Sequence, residues 1–320
     1  MEFHHISVLL NECLEGLNIR PDGVYMDGTM GGAGHTSQIY RRLTTGTMAG
    51  IDRDMDAINA ATARMQPLTE GSQARFVALH GNFHDAPALL RSAGIEKIDG
   101  ALLDLGVSSY QLDQRARGFS YHDDAPLDMR MDQSQPLTAA EIVNTWSAEK
   151  ITHILSEYAE EKWAVQIARV LCDRRKNQPI ETTSQLVNII DAAIPAKFRK
   201  RDDGHPARRT FQALRIAVND ELHPLEDALR DIFDMLNPGG RLCVIAFHSL
   251  EDRIVKNTFR SLADPCTCPK QIPICICGKK PTAKIITRKP ITATQEELEA
   301  NPRSRSATLR IAEKLPVAEF

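Results

Sequence analysis

The chain has 320 residues, enough for a full α/β domain and a second, smaller one. Its 42% hydrophobic and 25% charged residues are ordinary for a globular protein, and no apolar run approaches the roughly 20 residues of a membrane span. A net charge of −3 gives no global basic field for non-specific nucleic-acid binding, so a polyanionic partner has to be met by a local patch.

Met1-Glu2-Phe3-His4-His5 has no basic stretch followed by an apolar one, so no signal peptide is expected and the cytoplasm is the expected location. The first hundred residues alternate strand-like and helix-like segments, the pattern of a largely parallel sheet covered by helices. Strands are predicted over Val24–Asp27, Met48–Asp52, Ala74–His80 and Gly100–Leu105. A helix follows the first from Thr36 to Leu43. Asp54 caps another, with Met55, Ile58, Ala61 and Met65 on one side. From about Ser109 to Arg208 there is no convincing strand, only a long loop (Gln111 to Gln135) and several helices. Thr138 with Glu141 reads as a capping box, Ser147 as the next cap, and Trp163, Ile167, Val170 and Leu171 share a helical face. Leu186, Ile189 and Ile190 suggest a fourth helix.

The α/β pattern resumes after His205-Pro206, with helices carrying Phe211, Leu214 and Val218, then Leu225, Leu229, Ile232, Phe233 and Leu236. Asn237–Gly240 reads as a turn and Arg241–Phe247 as the clearest strand of the chain. Ser249 with Asp252 caps a helix, a cysteine-rich loop follows, and a last strand lies around Ala307 to Ala312.

The glycine-crowded stretch Asp27-Gly28-Thr29-Met30-Gly31-Gly32-Ala33-Gly34-His35 joins a strand end to a helix start. Glycines there let a backbone approach a ligand closely, and a helix N-terminus offers unpaired N–H groups. Asp52 closes the next strand, near where nucleotide-binding folds place the acid that grips ribose hydroxyls. Together they point to a nucleoside-containing cofactor, although a tight turn in an unrelated α/β protein would read the same way. The strict G-x-G-x-x-G of dinucleotide folds is missing. A loop led by an acid suits S-adenosylmethionine better, because its methionine end carries an ammonium and it has no phosphate. Asp104-Leu105-Gly106 sits where the fourth strand opens into the cleft, as a ligand contact or as a polar turn.

Read together, these residues resemble the ribosomal RNA small subunit methyltransferase H family, whose members methylate N4 of a cytidine in bacterial 16S rRNA. The matching segments are His5 to Leu10, Asp27 to His35, Ile51 to Asp54, Gly81 to Phe83, Leu103 to Asp113, Arg117 to Ser120, Leu127 to Asp132, Thr210 to Asn219, Phe247 to Lys256 and Asn301 to Ser306. They run nearly end to end. The resemblance implies an α/β class I S-adenosylmethionine-dependent methyltransferase, a Rossmann-like sheet with an inserted all-helical domain. Residues 1–108 would form the first part of the methyltransferase domain, 109–207 the inserted domain that recognises substrate, and 208–320 the second part.

Carried over residue by residue, the resemblance places the cofactor on Ala33, Gly34, His35, Asp52, Phe83, Asp104 and Gln111. Asp52 would accept from the ribose hydroxyls, Phe83 would cover the adenine, and the backbone of Ala33 to His35 would meet the methionine end. The family commonly has glycine where this chain has Ala33, and the methyl group predicts an ordinary negative φ there. Asp104 is the candidate catalytic group, or else a backbone carbonyl of Leu105 to Ser108 accepts the amine hydrogen. Tyr110 or Phe247 could stack on a flipped cytosine, with core packing favoured for Phe247. The implied partners are 16S rRNA and the small ribosomal subunit, with no membrane and no DNA.

Lys197-Phe198-Arg199-Lys200-Arg201 with Arg208 and Arg209 is the best basic patch, and Arg303 with Arg305 a second. Such residues would position RNA by its phosphates, although charge runs are commonly just solvated surface. Cys266, Cys268, Cys275 and Cys277 form C-x-C-x6-C-x-C, which could hold tetrahedral zinc. The spacing is less typical than C-x-x-C and the resemblance implies no metal, so the expected site contains none. His4, His5 and His248 read as hydrogen-bonding or capping groups. Two other classes stay open: a dinucleotide-dependent oxidoreductase, and a ribosome-assembly factor that binds RNA without chemistry.

Overall fold

The computed structural model describes residues 7–199, 204–269 and 276–316. His4, His5, Lys200, Arg201 and Cys275 lie outside these described residues. The chain divides into two compact units, Met1–Gly106 with Leu222–Phe320, and Val107–Glu221.

In the first unit, α1 (Leu10–Leu17) precedes β1 (Val24–Asp27), α2 (Gly34–Tyr40), β2 (Thr47–Asp52), α3 (Met55–Thr69), β3 (Arg75–His80), α4 (Ala86–Ser92) and β4 (Ile98–Asp104). The second unit holds α5 (Ser109–Asp113), α6 (Ala139–Thr145), α7 (Ala148–Ala159), α8 (Ala164–Arg174), α9 (Thr183–Ala193) and α10 (Arg208–Asn219). The chain then returns to the first unit with α11 (Leu225–Met235), β5 (Leu236–Ala246), α12 (Ser249–Ala263), β6 (Ala283–Ile285), β7 (Ile291–Thr292), α13 (Gln295–Ala300) and β8 (Thr308–Lys314).

The strands form one sheet in the order β3-β2-β1-β4-β5-β8-β6, with β7 paired to β8. β1 to β5 run parallel, while β8 is antiparallel to β5. The order identifies a Rossmann-like class I sheet. Each central strand is an apolar run buried on both faces, as a helix-covered parallel sheet requires. Met26, Ile51, Leu103 and Val244 pack under α4, α11 and α12 residues, and Tyr25, Met48, Leu102, Cys243 and Ile245 pack under α1, α2 and α3 residues. α1 crosses the sheet so closely that a Cβ at Gly16 would meet Ile311 and lie 3.2 Å from Cys243 Sγ.

Several elements differ from the sequence expectation. The helix after Asp54 buries Ala57, Ala61 and Met65, and Met55 points outward at 47% exposure. The Asn237–Gly240 turn lies within β5 as an excursion: Leu236 pairs with Ile98, then the ladder resumes at Arg241 opposite Gly100. Gly239, at φ 81, makes that loop possible.

In the second unit, Thr138, Ser147 and Thr182 accept hydrogen bonds from the N-terminal amides of α6, α7 and α9. Ile142, Ile151, Leu155, Ile167, Leu171, Leu186 and Ile190 form its core. α10 joins that core through Phe211, Leu214 and Val218, so this unit extends to Glu221 rather than ending before 208. The expected loop contains α5 and is pinned by polar side chains. Buried Arg117 donates Nη2 to the carbonyls of Arg130 and Met131, each at 2.9 Å. Asn219 accepts from the Met131 amide and donates to the Met129 carbonyl, both at 2.8 Å.

Candidate functional site

Strand order reverses between β1 and β4, where the chain steps from one side of β1 to the other. In open parallel sheets the crevice beyond the carboxyl ends of such a pair is where ligands bind. Three carboxylates close three of these strands: Asp27 on β1, Asp52 on β2 and Asp104 on β4.

Asp27 is used to build the loop. It is buried; Oδ2 accepts from Thr36 Oγ1 at 2.7 Å and Oδ1 from the Thr29 amide at 3.1 Å. The glycine turn therefore folds over its own acid, and burial raises the Asp27 pKa despite these bonds. Gly28 sits where a Cβ would collide with Leu103 and lie 3.0 Å from Phe83 Cβ, which brings Phe83 beside the turn. The half-buried Phe83 ring packs edge-on against His84 at 4.4 Å.

Asp52 spans two backbone amides. Oδ2 accepts from Gly31 N–H at 2.7 Å and Oδ1 from Asp54 N–H at 2.8 Å, fixing the carboxylate between the glycine turn and the start of α3. Burial raises its pKa to about 6, with the two amide bonds opposing the rise. It is a carboxylate at neutral pH, and each oxygen keeps acceptor capacity for a ligand hydroxyl.

Ala33 corrects the sequence expectation: its φ is 59 and its ψ 36, the left-handed region, and it is fully buried. Its carbonyl accepts from Ser37 N–H at 3.0 Å, so the strained residue begins α2 and the turn keeps its glycine-type shape. The left-handed region costs an L-residue about 1–2 kcal/mol. A buried methyl offsets about 0.8 kcal/mol of that. Ala33→Gly is expected to stabilise the protein by about 0.2–1.2 kcal/mol, read from the urea unfolding midpoint. A lower midpoint would show that packing of the methyl outweighs the strain.

His35 is buried, and its Nε2 lies 2.9 Å from the Val8 carbonyl, to which it donates. Burial lowers its pKa to about 4, so it is neutral and presents an unprotonated Nδ1 3.9 Å from Asp104 Oδ2. Asp104 donates its backbone amide to Thr29 Oγ1 at 2.6 Å. Its Oδ1 is buried and has no hydrogen-bonding partner among the described residues. Burial first, then the charges of Asp27 and Glu251, push the Asp104 pKa up to about 8. Asp104 and His35 are thus both neutral at pH 7, and their approach is not an ion pair. A buried, unpartnered carboxyl oxygen at the switch point is the atom a cationic or N–H-bearing ligand would satisfy.

The structure thus gathers Ala33, Gly34, His35, Asp52, Phe83 and Asp104 at the strand ends. Gln111 belongs to the other unit, where its Oε1 accepts from Ser108 N–H at 3.1 Å in the capping box of α5. Tyr110 is 39% exposed, whereas Phe247 packs on the core. α12 is capped by His248 and Glu251, not by Ser249 and Asp252: Glu251 Oε2 accepts from the Phe247 amide at 2.8 Å. Asp252 instead pairs with Arg310 through two bonds of 2.6 and 2.9 Å.

The described residues of the expected basic patches lie in three places. In the helical unit, Arg199 is exposed beside Phe198, which Lys197 overlies at 4.8 Å and Trp163 faces at 5.3 Å. Arg208 and Arg209 open α10. In the α/β unit, Arg303 and Arg305 are exposed on a 3-10 turn. A cavity of about 260 Å³, missed in the sequence, is lined by Lys256, Arg260, Arg288, Arg310, Thr287, Phe259 and Ile285. Its residues come from separate segments, so no local charge run announces it. No helix among the described residues is long and apolar enough to cross a membrane.

The MraW methylase family model matches residues 2–315. The ribosomal RNA small subunit methyltransferase H of Symbiobacterium thermophilum is 54% identical over 320 residues, covering 100% of this chain and 99% of that protein. The protein of the same name from Clostridioides difficile is 53% identical over 316 residues, covering 98% and 100%. Among solved structures, an rRNA methylase from Streptococcus thermophilus aligns over 98% of this chain and 99% of its own, with a TM-score of 0.43 and 11% identity.

Proposed function

From the premise that this chain belongs to the MraW methylase family, we propose that it methylates the exocyclic N4 amine of a cytidine in bacterial 16S rRNA, using S-adenosylmethionine, in the cytoplasm and on the small ribosomal subunit. The observation that carries the reading is Asp104 Oδ1, a buried and unpartnered carboxyl oxygen at the switch point, one strand away from Asp27 and two from Asp52. The bound cofactor supplies an electrophilic methyl group on its sulfonium.

The chain's own groups fit the rest of that molecule. Asp52 is oriented by two amides to accept from ribose hydroxyls, and Phe83 offers a half-buried ring beside the glycine turn. The turn from Ala33 to His35 would hold the amino-acid end, with Gly34 and His35 at the start of α2 offering the backbone, since the Ala33 N–H already donates to the Met30 carbonyl. The cytosine amine is a poor nucleophile because its lone pair is delocalised into the ring. Positioning and an acceptor for an amine hydrogen are what the protein has to provide. Asp104 would be that acceptor once it has given up its own proton, which its raised pKa of about 8 leaves bound in most molecules at pH 7. Gln111 remains a proposed cofactor contact.

Incubating small subunits with methyl-labelled cofactor, then mapping the modified nucleotide by mass spectrometry, tests this reading. Label on cytosine N4 is the expected result. Label on adenine or on a cytosine carbon overturns it, and binding without transfer would favour the assembly-factor alternative.

RNA phosphates are proposed to meet the basic cavity and the Lys197-Phe198-Arg199 patch, together with Lys200, Arg201, Arg208, Arg209, Arg303 and Arg305. Each phosphate contact contributes about 0.7–0.9 to the slope of log affinity against log salt. Lys256→Ala with Arg288→Ala is expected to lower that slope by about 1–2. Arg199→Ala with Lys200→Ala and Arg201→Ala should lower it comparably. Filter binding of small-subunit RNA at several salt concentrations reads both, and an unchanged slope removes the patch concerned from the interface.

A further inference from the structure

We propose that Cys266, Cys268 and Cys277 supply three of the four ligands of a structural zinc site that staples the long connection between α12 and β6. Their three Sγ atoms lie within 4.8 Å of one another, and Cys266 and Cys277 are 3.9 Å apart, sulfur to sulfur. Zinc–thiolate bonds of about 2.3 Å at tetrahedral angles put neighbouring sulfurs about 3.8 Å apart. The observed pair therefore already stands at the separation that one shared zinc imposes, and far beyond a disulfide bond. Cys268 Sγ accepts the Ile276 N–H at 3.4 Å. Such N–H donation stabilises a charged thiolate ligand, as outer-shell partners of metal ligands do.

The position explains the need. The connection leaves α12 at Ala263 and enters β6 at Ala283, and its described residues form no helix or strand. Its base is closed where the Thr282 amide donates to the Leu262 carbonyl at 2.9 Å. Loops this long without secondary structure need either a function or a clamp to stay ordered. Among its described residues the apolar side chain of Ile276 is not available for this, being 77% exposed. Three thiols converge instead, with Cys268 and Cys277 half-buried. In a reducing compartment convergent thiols persist as metal ligands rather than as disulfides.

The full chain, purified without added metal, is expected to carry about one zinc per molecule by elemental mass spectrometry. Exchange into cobalt should give thiolate-to-cobalt charge-transfer bands and the visible bands of a tetrahedral centre. Cys266→Ser with Cys268→Ser should reduce zinc below about a tenth of that content and lose the cobalt spectrum. The cobalt spectrum of the unmodified protein is decisive even where the double variant fails to fold. Wild-type protein without zinc that also fails to give the spectrum overturns the proposal. So does native mass spectrometry showing a disulfide among these cysteines in protein purified under reducing conditions.

Discussion

Replacing Asp104 with asparagine is expected to lower kcat for methyl transfer by about a hundred- to ten-thousand-fold, the range over which positioned acid–base groups act. The substitution keeps the size of the side chain, and the Asp104 backbone amide still donates to Thr29 Oγ1. What changes is the orphaned oxygen, which can no longer take a proton or hold a cation. The pH dependence separates chemistry from structure. In the folded protein the Asp104 pKa is raised from 3.8 to about 8, so the folded state holds this proton more tightly than the unfolded chain. Its contribution to stability is present below about pH 4 and is lost as pH rises through about 8. Asparagine cannot ionise. Ligand-free Asp104→Asn should therefore melt a few degrees above the wild type at pH 8.5, with the difference shrinking toward pH 5. Turnover in the wild type should rise with pH through about 8 and level off above it as the carboxylate forms, and this rise should vanish in the variant. Near-normal turnover by a variant with intact cofactor affinity would remove Asp104 from the reaction.

Asp52→Ala is expected to weaken cofactor binding by about a hundredfold or more, since hydrogen bonds to a charged acceptor are each worth about 1.5–3 kcal/mol. Part of that loss comes from the amides of Gly31 and Asp54, which the substitution leaves without their acceptor. Calorimetry with a cofactor analogue lacking the ribose hydroxyls separates the two. The wild type should bind the analogue at least about tenfold more weakly than the cofactor, and Asp52→Ala should hardly distinguish them. A variant that discriminates as strongly as the wild type would show that Asp52 acts on the glycine turn alone.

The legible parts of this chain were those where one physical signal dominates. β1, β2 and β4 are short apolar runs ending in an acid, and α7, α9 and α11 carry their apolar side chains at helical spacing, so their burial follows from periodicity. β6 and β7 are three and two residues long, too short for any period to register. α1 begins from Leu9 at φ 50, a conformation that no leucine advertises. His248 caps α12, as its expected capping role allows, and Ser249 does not: an imidazole does the work expected of a hydroxyl. In the site, the acids at the strand ends could be named from sequence. That Asp27 is consumed by Thr29 and Thr36 could not, because a buried acid and a ligand-facing acid are the same letter. Ala33 departs from its expected negative φ for the converse reason: the surrounding turn imposes a backbone that its own side chain disfavours. The basic cavity joins residues from Lys256 to Arg310 that only the packing of α12 beside β8 and its neighbours assembles.

β4 and β5 are neighbours in the sheet, yet the whole of Val107–Glu221 is synthesised between them. At about 5–20 residues per second, the nascent chain would carry β4 for on the order of ten seconds before β5 emerged to cover its open side. β4 is an apolar strand with Ile98, Ala101, Leu102 and Leu103 all buried in the finished protein. An uncovered strand of this kind is a template for wrong pairing. The first third of the chain therefore has a waiting period built into its order of synthesis, during which chaperone occupancy or slow translation would decide the yield of native enzyme.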